Sequence, residues 1–369
     1  MSIVRNILDK IKKRPLQFFL LKTVFLFLVL FVIDYSLGTV LRYFYFRQQS
    51  GELYRITYSL EKTNEDVLIF GSSRANHHYH PDVFENSMHL SCYNTGRDGE
   101  HIFYQYAILK GVLKRYTPKI VIFDFITAEF IKEHEGYERL SALLPYYHDH
   151  PEIRSIIKLR GPYEKYKLLS RTYPYNSVIF QVALGNTEYK KAKHEDINGY
   201  LPITNEWDEP IKTVTYPESY PIDSIKVSMF ESVIKDCIHA GTRLCFVCSP
   251  YFFVAKNEDY SVVLAKKMAK EYNIDFFDFS TDTTFTSHAD LFNDFAHLND
   301  KGARIFTKKV IDCIGYKEEM KPTTTIQSTL SRVRRPKLQL EEKSIKSVST
   351  RVNSAAHSLP GHRLLFPCI

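Results

Sequence analysis

Between residues 67 and 314 the chain alternates short apolar runs with amphipathic stretches, and this alternation constrains the fold more than any other feature. Val67–Phe70 and Ile120–Phe125 are rich in β-branched and aromatic residues, which is typical of buried strands. Ile102–Tyr116 and Ser224–Ala240 carry apolar residues at helical spacing. Repeated strand–helix units predict a parallel sheet with helices on both faces, and therefore a three-layer α/β domain.

Five further elements fit the same order. The additional predicted strands are His89–Tyr93, Arg243–Val247 and Asp275–Asp278, and the additional helices are Ser261–Tyr272 and Lys301–Ile314. Asn299 or Asp300 is the predicted N-cap of the last helix. In open parallel sheets the functional groups gather at the carboxyl ends of the strands, so the loops at that edge are the first place to search for a site.

A second constraint is an apolar run close to the N-terminus. Leu16–Ile33 is apolar apart from three residues, and with Val40–Phe46 it supplies the roughly 20 residues that cross a bilayer. Residues 1–15 carry a net charge of +4, which predicts a cytoplasmic N-terminus and an extracytoplasmic body. We therefore expect an uncleaved, single-pass anchor over residues 16–46 in the inner, or cytoplasmic, membrane. A signal peptide cleaved near Ser36–Gly38 and a buried core helix are the alternatives.

The remaining segments define the predicted domain organisation. Arg47–Asp66 is expected to be a polar connector, followed by one folded domain over residues 66–316. Glu129–Pro221 interrupts the alternation and is rich in Tyr, His and Lys, which predicts an insertion over the site. Residues 317–369 are rich in Ser, Thr, Lys and Arg with little periodicity, which predicts a disordered basic tail.

The distribution of charge argues against a nucleic-acid partner. The whole chain has a net charge of +7, but residues 1–15 carry +4 and residues 317–369 carry +6. The body between them is therefore at −3, and a body without basic excess is not expected to bind nucleic acid.

The six cysteines do not indicate a metal site. Cys245 and Cys248 have CxxC spacing, but they lie within the predicted strand Arg243–Val247 and at its end, and no second ligand pair has suitable spacing. We expect them to be core cysteines, and disulfides remain possible outside the cytoplasm.

Two short segments together carry the elements of nucleophilic catalysis. Gly71-Ser72-Ser73 follows the first predicted strand, and an Asp-x-x-His pair, Asp294 and His297, precedes the last helix. Each alone is more common as an ordinary turn or a surface pair. A serine hydroxyl needs a base in contact with it, and the base needs an orienting group, so the two segments can supply all three roles.

At this point the residues from Asp66 to Ile314 resemble the SGNH/GDSL hydrolase superfamily of serine esterases and acyltransferases. The nucleophile of that family is the third residue of a Gly-x-Ser turn, which implies Ser73, and its final Asp-x-x-His block matches Asp294 and His297. The resemblance implies a flavodoxin-like fold of the SGNH type. It also implies a Ser73 Oγ within about 2.6–3.5 Å of a His297 ring nitrogen.

The oxyanion hole is the part of the family pattern that this chain reproduces incompletely. In the family, a glycine after the second strand contributes a backbone N–H, and Gly96 matches that position. An asparagine after the third strand normally contributes a second donor, but Phe123–Glu129 contains no asparagine. Asn94 is the candidate replacement. Loss of one oxyanion donor costs about 10²–10³ in rate.

These features together lead to two functional hypotheses. The first is a bacterial serine esterase or acyltransferase that acts, without a cofactor or metal, on acyl esters of cell-envelope glycans, acetyl esters above all, or on small esters. The second is a non-catalytic glycan-binding or envelope-assembly protein on a degenerate SGNH scaffold, which the missing asparagine favours. The acyl group, its acceptor, the choice between hydrolysis and transfer, and the oligomeric state stay open.

Several residues near the predicted site have two interpretations each. Arg74 either supports the turn or meets an anionic substrate. Three histidines after the serine turn line the site or face solvent, with a metal cluster as the alternative: His77, His78 and His80. Four insertion tyrosines pack against the core or stack on sugar rings: Tyr146, Tyr147, Tyr163 and Tyr166.

Overall fold

The computed structural model describes residues 15–187 and 196–315. The predicted basic arm before residue 15 and the predicted tail over residues 317–369 lie outside the described residues. So do residues 188–195 of the predicted insertion.

Helices and strands alternate along most of the described chain. The helices are α1 Pro15–Phe46, α2 Glu52–Thr57, α3 Ser73–His78, α4 Pro81–Met88, α5 Ile102–Arg115, α6 Glu135–Arg139, α7 Arg154–Ile157, α8 Glu164–Lys167, α9 Ile179–Gly185, α10 Ser224–Ala240, α11 Tyr260–Glu271, α12 Thr283–Thr286 and α13 Asp300–Ile314. The strands are β1 Val67–Phe70, β2 Cys92–Asn94, β3 Ile120–Asp124, β4 Lys212–Val214, β5 Arg243–Cys248, β6 Phe253–Ala255 and β7 Asp275–Asp278.

Five strands form one parallel sheet in the order β2-β1-β3-β5-β7. Val67 in β1 pairs with Cys92 on one side and with Ile120 on the other, which places β1 between β2 and β3. β4 and β6 form a separate two-stranded parallel pair. The predicted α/β class with a parallel sheet is therefore confirmed.

The sheet has a hydrophobic core on each face. Because successive strand residues point to opposite faces, Leu68 and Phe70 enter one core while Val67 and Ile69 enter the other. Helices α5, α10 and α11 cover the first face, and α3, α4 and α13 cover the second. Strands buried on both faces are expected to be apolar at every position, and β1 is Val-Leu-Ile-Phe.

The CxxC pair lies within this core. Cys245 belongs to the core on the second face and Cys248 to the core on the first, and both are free and fully buried. Two thiols on opposite faces of a strand cannot chelate one ion, so the interpretation as core cysteines is confirmed.

The segment Arg47–Asp66 is folded, whereas the sequence analysis expected a polar connector. It contains α2 and a π-helical turn over Tyr58–Lys62. Leu53, Ile56 and Leu60 are buried in the core on the first face of the sheet. Their spacing of three and four residues is a helical apolar stripe, and polar neighbours obscure it in the sequence.

Helix α1 has two parts with different surroundings. It is 32 residues long, and no residue of its most apolar stretch is buried in the protein, which is consistent with single-pass membrane anchoring. Its second part packs on the folded domain, beginning at Asp34. The Asp34 carboxylate accepts hydrogen bonds from Ser170 Oγ at 2.6 Å, Arg171 N at 2.7 Å and Thr172 Oγ1 at 2.5 Å. One helical turn later, Gly38 lies against the Arg171 backbone, where a Cβ would be only 2.4 Å from the carbonyl carbon.

Further contacts join the end of α1 to the domain. Arg42 forms an ion pair of 2.9 Å with Asp149. Tyr45 is buried, and its hydroxyl lies 3.2 Å from that of Tyr146, which is 2.7 Å from Thr57 Oγ1. The predicted anchor over residues 16–46 is thus one continuous helix whose last third belongs to the folded domain.

The predicted insertion, residues 129–221, has two locations. Its first part, which includes Tyr146, packs beside α1 and α5 and not over the site. Its later part reaches the carboxyl edge of the sheet, where Asn198 O accepts from Asn94 N at 2.8 Å and Leu201 N donates to Asn76 O at 3.1 Å.

Asp34 should hold α1 on the domain. A hydrogen bond to a charged group contributes about 1.5–3 kcal/mol, and Asp34→Ala also leaves the Arg171 N–H without its acceptor. We expect this variant to lose about 2 kcal/mol of unfolding free energy, which corresponds to a melting temperature lower by roughly 4–8 °C in detergent. Ser36→Ala, an exposed position on the same helix, is the matched control and should melt like the wild type. An unchanged melting temperature for Asp34→Ala would show that these bonds do not hold the helix.

Candidate active site

Ser73 is placed by a tight turn between β1 and α3. Gly71 has a φ of 153°, a conformation that strongly favours glycine. A Cβ at this position would lie 2.6 Å from Ala75 Cβ and 2.9 Å from Asp124 Cβ, so no side chain fits. The turn brings Ser73 to the carboxyl edge of β1 at the point where the strand order reverses. In open α/β sheets this is where ligands bind.

The structure brings together the three residues that the sequence analysis selected. Ser73 Oγ lies 2.7 Å from His297 Nε2, and His297 Nδ1 lies 2.9 Å from Asp294 Oδ2. The serine and histidine are 224 residues apart in the chain. The expected separation of about 2.6–3.5 Å between the serine oxygen and a ring nitrogen is therefore confirmed.

The loop around Asp294 fixes the charge and the tautomer of this group. Burial alone would raise the pKa of Asp294, but hydrogen bonds from His297, the Ala296 backbone and Asn293 lower it to about 2. The carboxylate is therefore ionised at neutral pH and can only accept. His297 Nδ1 must then carry a proton, which leaves the Nε2 lone pair facing the Ser73 hydroxyl.

His78 holds the histidine loop in place from beneath. Its Nε2 accepts the Leu298 backbone N–H at 2.9 Å, so the proton is on Nδ1, which donates to Ser249 Oγ at 3.0 Å. Burial, with the nearby positive charge of Arg74, keeps the pKa of His78 well below its usual range. A neutral His78 is what the hydrogen bond from Leu298 requires.

Arg74 points away from the site into the protein. It is buried, its guanidinium donates to Ser249 Oγ at 2.7 Å, and its carbon lies 3.5 Å from the centre of the Tyr251 ring. Of its two interpretations, the structure favours support of the turn, because a group stacked under the site cannot meet a substrate.

Asp124 ends β3, where the family pattern calls for an asparagine shortly afterwards. It is fully buried and accepts the Tyr79 hydroxyl at 2.5 Å. Burial raises the pKa of Asp124, and the Arg74 charge opposes this rise. A carboxylate in this network has no N–H to offer an oxyanion. Asp124 therefore holds Tyr79 in place, and the end of β3 contributes no hydrogen-bond donor to an oxyanion hole.

The structure corrects the two expected oxyanion donors. The Gly96 N–H donates to Asn94 Oδ1 at 2.9 Å, and Asn94 Nδ2 donates to Ala75 O and Tyr79 O at 2.7 and 3.0 Å. Both hydrogens of the Asn94 amide and the Gly96 N–H are therefore occupied. Asn94 instead joins the end of β2 to α3.

The Ser73 backbone N–H is the donor that remains. Among the hydrogen bonds of residues 15–187 and 196–315, it has no acceptor. It begins α3, where the first N–H groups of a helix have no partner within the helix.

A second polar cluster lies beside Ser73, and sequence reasoning missed most of it. His77 is four residues after Ser73 on α3, so both lie on one face. Its Nδ1 lies 2.7 Å from Leu201 O, its Nε2 lies 3.4 Å from Asp98 Oδ1, and its ring centre is 5.8 Å from that of His297.

Asp98 is the charged member of this cluster. Its side chain is 59% exposed, so it is only partly desolvated. Partial burial would raise its pKa, but hydrogen bonds from His77 and Asn76 lower the pKa to about 2. Asn76 also accepts from the buried Arg55 at 2.6 Å, and Arg55 donates to Gly96 O at 2.9 Å. The spacing of Ser73, Asn76 and His77 would have revealed the cluster if α3 had been predicted.

The other residues singled out in the sequence lie away from the triad. His80 is buried against the Tyr200 ring, with its backbone N–H on Thr307 Oγ1. Tyr146 is buried beside α1, whereas Tyr163 and Tyr166 are exposed. Within the part of the chain that the structure describes, no group of three or more His, Cys, Asp or Glu side chains could hold a metal ion.

Comparison with known proteins adds no assignment. A scan against protein-family models finds no match, and a search of curated proteins finds no significant match. The functional argument therefore depends on the geometry of the site.

The buried His78 should make stability fall in weak acid. In the unfolded chain this histidine titrates near pH 6.5, and its folded pKa is far lower, so below about pH 6.5 the unfolded state binds more protons. Because His78 binds a proton only in the unfolded chain over this range, we expect the free energy of unfolding to fall by up to about 1.4 kcal/mol for each pH unit below pH 6.5. Urea unfolding at pH 7.5 and 5.5 should show a smaller pH effect in His78→Gln than in the wild type.

The exposed His239→Gln variant controls for loss of any histidine and should keep the wild-type pH effect. The same pH effect in His78→Gln and the wild type would mean that His78 is not the group responsible.

Proposed function

We propose that the protein is a membrane-anchored serine esterase or O-acyltransferase that acts on acyl esters of cell-envelope glycans, acetyl esters above all. The observation that carries this proposal is the continuous hydrogen-bonded chain from Ser73 Oγ through His297 to Asp294. A serine in contact with an imidazole that a carboxylate orients is the arrangement that activates a hydroxyl for attack on a carbonyl.

In the first half-reaction His297 acts as the base. Its Nε2 takes the Ser73 proton while Oγ forms a bond to the ester carbonyl carbon, and the Asp294 carboxylate stabilises the resulting imidazolium. The proton then passes from Nε2 to the departing alcohol oxygen as the ester C–O bond breaks. The product is an acyl group on Ser73.

In the second half-reaction the base acts on the acceptor. His297 Nε2 removes a proton from water or from a sugar hydroxyl, whose oxygen attacks the acyl carbon. The proton returns to Ser73 Oγ as the acyl–enzyme bond breaks. Water as acceptor gives an esterase, and a sugar hydroxyl gives a transferase.

The oxyanion donors set the expected rate. The Ser73 N–H is available, whereas the Gly96 and Asn94 donors are occupied and β3 ends in a carboxylate. Because each missing donor costs about 10²–10³ in rate, we expect slow turnover of simple esters. A substrate that displaces Asn94 Oδ1 from Gly96 N would restore one donor.

The topology supports a flavodoxin-like domain of the SGNH type. Numbered within the five-stranded sheet, the strand order is 2-1-3-4-5, which is the doubly wound order of flavodoxin-like folds. Ser73 follows the first of these strands and His297 follows the last. The agreement in strand order supports only the proposed fold. The proposed acyl-transfer chemistry is argued from the triad.

The charge pattern at the N-terminus supports the location. Residues 1–15 carry +4 ahead of the apolar part of α1, which favours a cytoplasmic N-terminus and a domain outside the cytoplasmic membrane. A domain in that position would be within reach of acylated glycans of the cell envelope.

The alternative is a non-catalytic glycan-binding or envelope-assembly protein. The hydrogen bond from Gly96 N to Asn94 Oδ1 favours it, because the donor that should meet the oxyanion is engaged within the protein. On this hypothesis the protein has the three triad residues but does not convert a substrate.

Labelling with a fluorophosphonate probe separates the two hypotheses, because the probe reacts only with an activated serine. We expect the wild type to be labelled and to hydrolyse an acetylated phenol slowly. Ser73→Ala should lose labelling and reduce turnover by about 10³-fold or more, and His297→Ala should behave similarly because triad losses are not additive.

The matched control is Ser72→Ala, which removes the neighbouring hydroxyl. Ser72 is largely buried and its side chain makes no capping hydrogen bond, so labelling should persist. Absence of labelling in the folded wild type, or equal turnover in Ser73→Ala, would establish the non-catalytic alternative.

The location has its own test. A phosphatase that is active only outside the cytoplasm can be fused after Ile314, behind the anchor and the folded domain. We expect this membrane-bound fusion protein to show phosphatase activity. Activity instead from a strictly cytoplasmic reporter at the same point would reverse the orientation.

A further inference from the structure

We infer that the segment from Tyr163 to Asn186, here called the collar, is seated in the membrane interface on the side of the folded domain. The partner of this surface is the lipid bilayer that α1 crosses, so the inference rests on the membrane anchoring proposed above. The collar would make a second contact between domain and membrane and would fix the orientation of the domain.

The first argument is exposure. Among the large hydrophobic side chains outside α1 in the described residues, the three most exposed are Phe180 at 83%, Leu169 at 77% and Tyr163 at 70%. All three belong to the collar. An exposed apolar side chain alone needs no explanation, but a concentration of them in one segment indicates a contact surface.

The second argument is the orientation of α9. Ile179, Phe180, Ala183 and Leu184 face solvent, while Val182 is buried against the domain. Positions i, i+1, i+4 and i+5 form one stripe of a helix, so the outward face of α9 is entirely apolar. A surface helix in water presents its polar face outward, and this helix does the reverse.

The third argument is the attachment of the collar to α1. Pro15 to Asp34 is 20 residues, about the length that crosses the hydrocarbon core. At that level the Asp34 carboxylate binds the collar residues Ser170, Arg171 and Thr172. This part of the collar therefore lies at the level where the helix is expected to leave the hydrocarbon.

A further bond joins the other end of the collar to α1. Asn186 Nδ2 donates to Phe44 O at 2.9 Å, so the collar follows the helix over its last three turns. Most of the exposed side chains of α1 over the same span are apolar or aromatic, including Leu37, Val40 and Tyr43, with Ser36 and Thr39 among them. The apolar surfaces of α1 and the collar are thus continuous, and we expect both to lie against the same apolar environment.

The fourth argument is charge. Lys165, Lys167 and Arg171 are exposed among the collar's apolar side chains, and Tyr163 and Tyr166 stand beside them. Cations next to tyrosines and aliphatic groups are typical of the zone where acyl chains meet anionic headgroups. This mixture favours a lipid surface over a protein groove, which would leave the lysines buried.

Tryptophan quenching by brominated lipids tests the inference on the full chain reconstituted in vesicles. The native Trp207 is first replaced by Phe, and single tryptophans are then introduced by Phe180→Trp and Leu169→Trp. Phe27→Trp, within the apolar part of α1, reports insertion of the anchor. Ile305→Trp, an exposed apolar position on α13, is the control for a domain surface away from the collar.

We expect lipids brominated on their acyl chains to quench Phe180→Trp and Leu169→Trp, with emission shifted to the blue, and to leave Ile305→Trp unquenched. Quenching of Phe27→Trp without either collar position would overturn the inference while the anchor stands, and would leave the patch to a protein partner. Absence of quenching at all three positions, 27, 169 and 180, would overturn both the anchor and the collar. Quenching of Ile305→Trp equal to that of the collar would overturn the assignment of a specific surface.

Discussion

The hydrogen bond from the Leu298 backbone to His78 Nε2 joins the two halves of the site, the helix that carries the nucleophile and the loop that carries the base. His78 lies on the helix that begins with Ser73, and Leu298 directly follows His297. One buried, neutral imidazole therefore sets the separation between nucleophile and base. Ser249, which directly follows strand β5, orients that imidazole through Nδ1. The distance between Ser73 and His297 is thus determined by the sheet and does not rely on the surface loop alone.

The sequence was sufficient to predict the elements whose signals are local. Strand β1 is a continuous apolar run, and helices α10 and α13 carry apolar residues at helical spacing. Asn299, one of the two expected candidates, caps α13 by accepting from Gly302 N. Helix α3 was not predicted, because Ser-Arg-Ala-Asn-His-His has no apolar stripe. It is buried through polar partners that come from distant strands and loops, and such partners leave no periodic pattern.

The same distinction separates the triad from the oxyanion hole. A serine turn and an Asp-x-x-His pair can be recognised from residue type and spacing, and the structure places both together. The acceptor that a backbone N–H binds cannot be recognised in this way, since it depends on the path of the chain. Asn94 could have faced the site or the protein, and only the structure shows that it binds Gly96, Ala75 and Tyr79.

Arg55 gives the site a mechanical link to the helix that precedes it. It lies on α2, only a few residues after α1, and it binds Asn76 on the nucleophile's helix and the Gly96 carbonyl. On the proposed membrane anchoring, a domain coupled so closely to a bilayer cannot tumble freely, and it samples only the thin layer of solution next to the lipid. Its encounter rate is then governed by how many substrate groups occupy each unit of surface, and by how far their chains reach from it. If the site is the proposed esterase or acyltransferase, polymer length and surface density, rather than bulk concentration, become the variables that select which esters it meets.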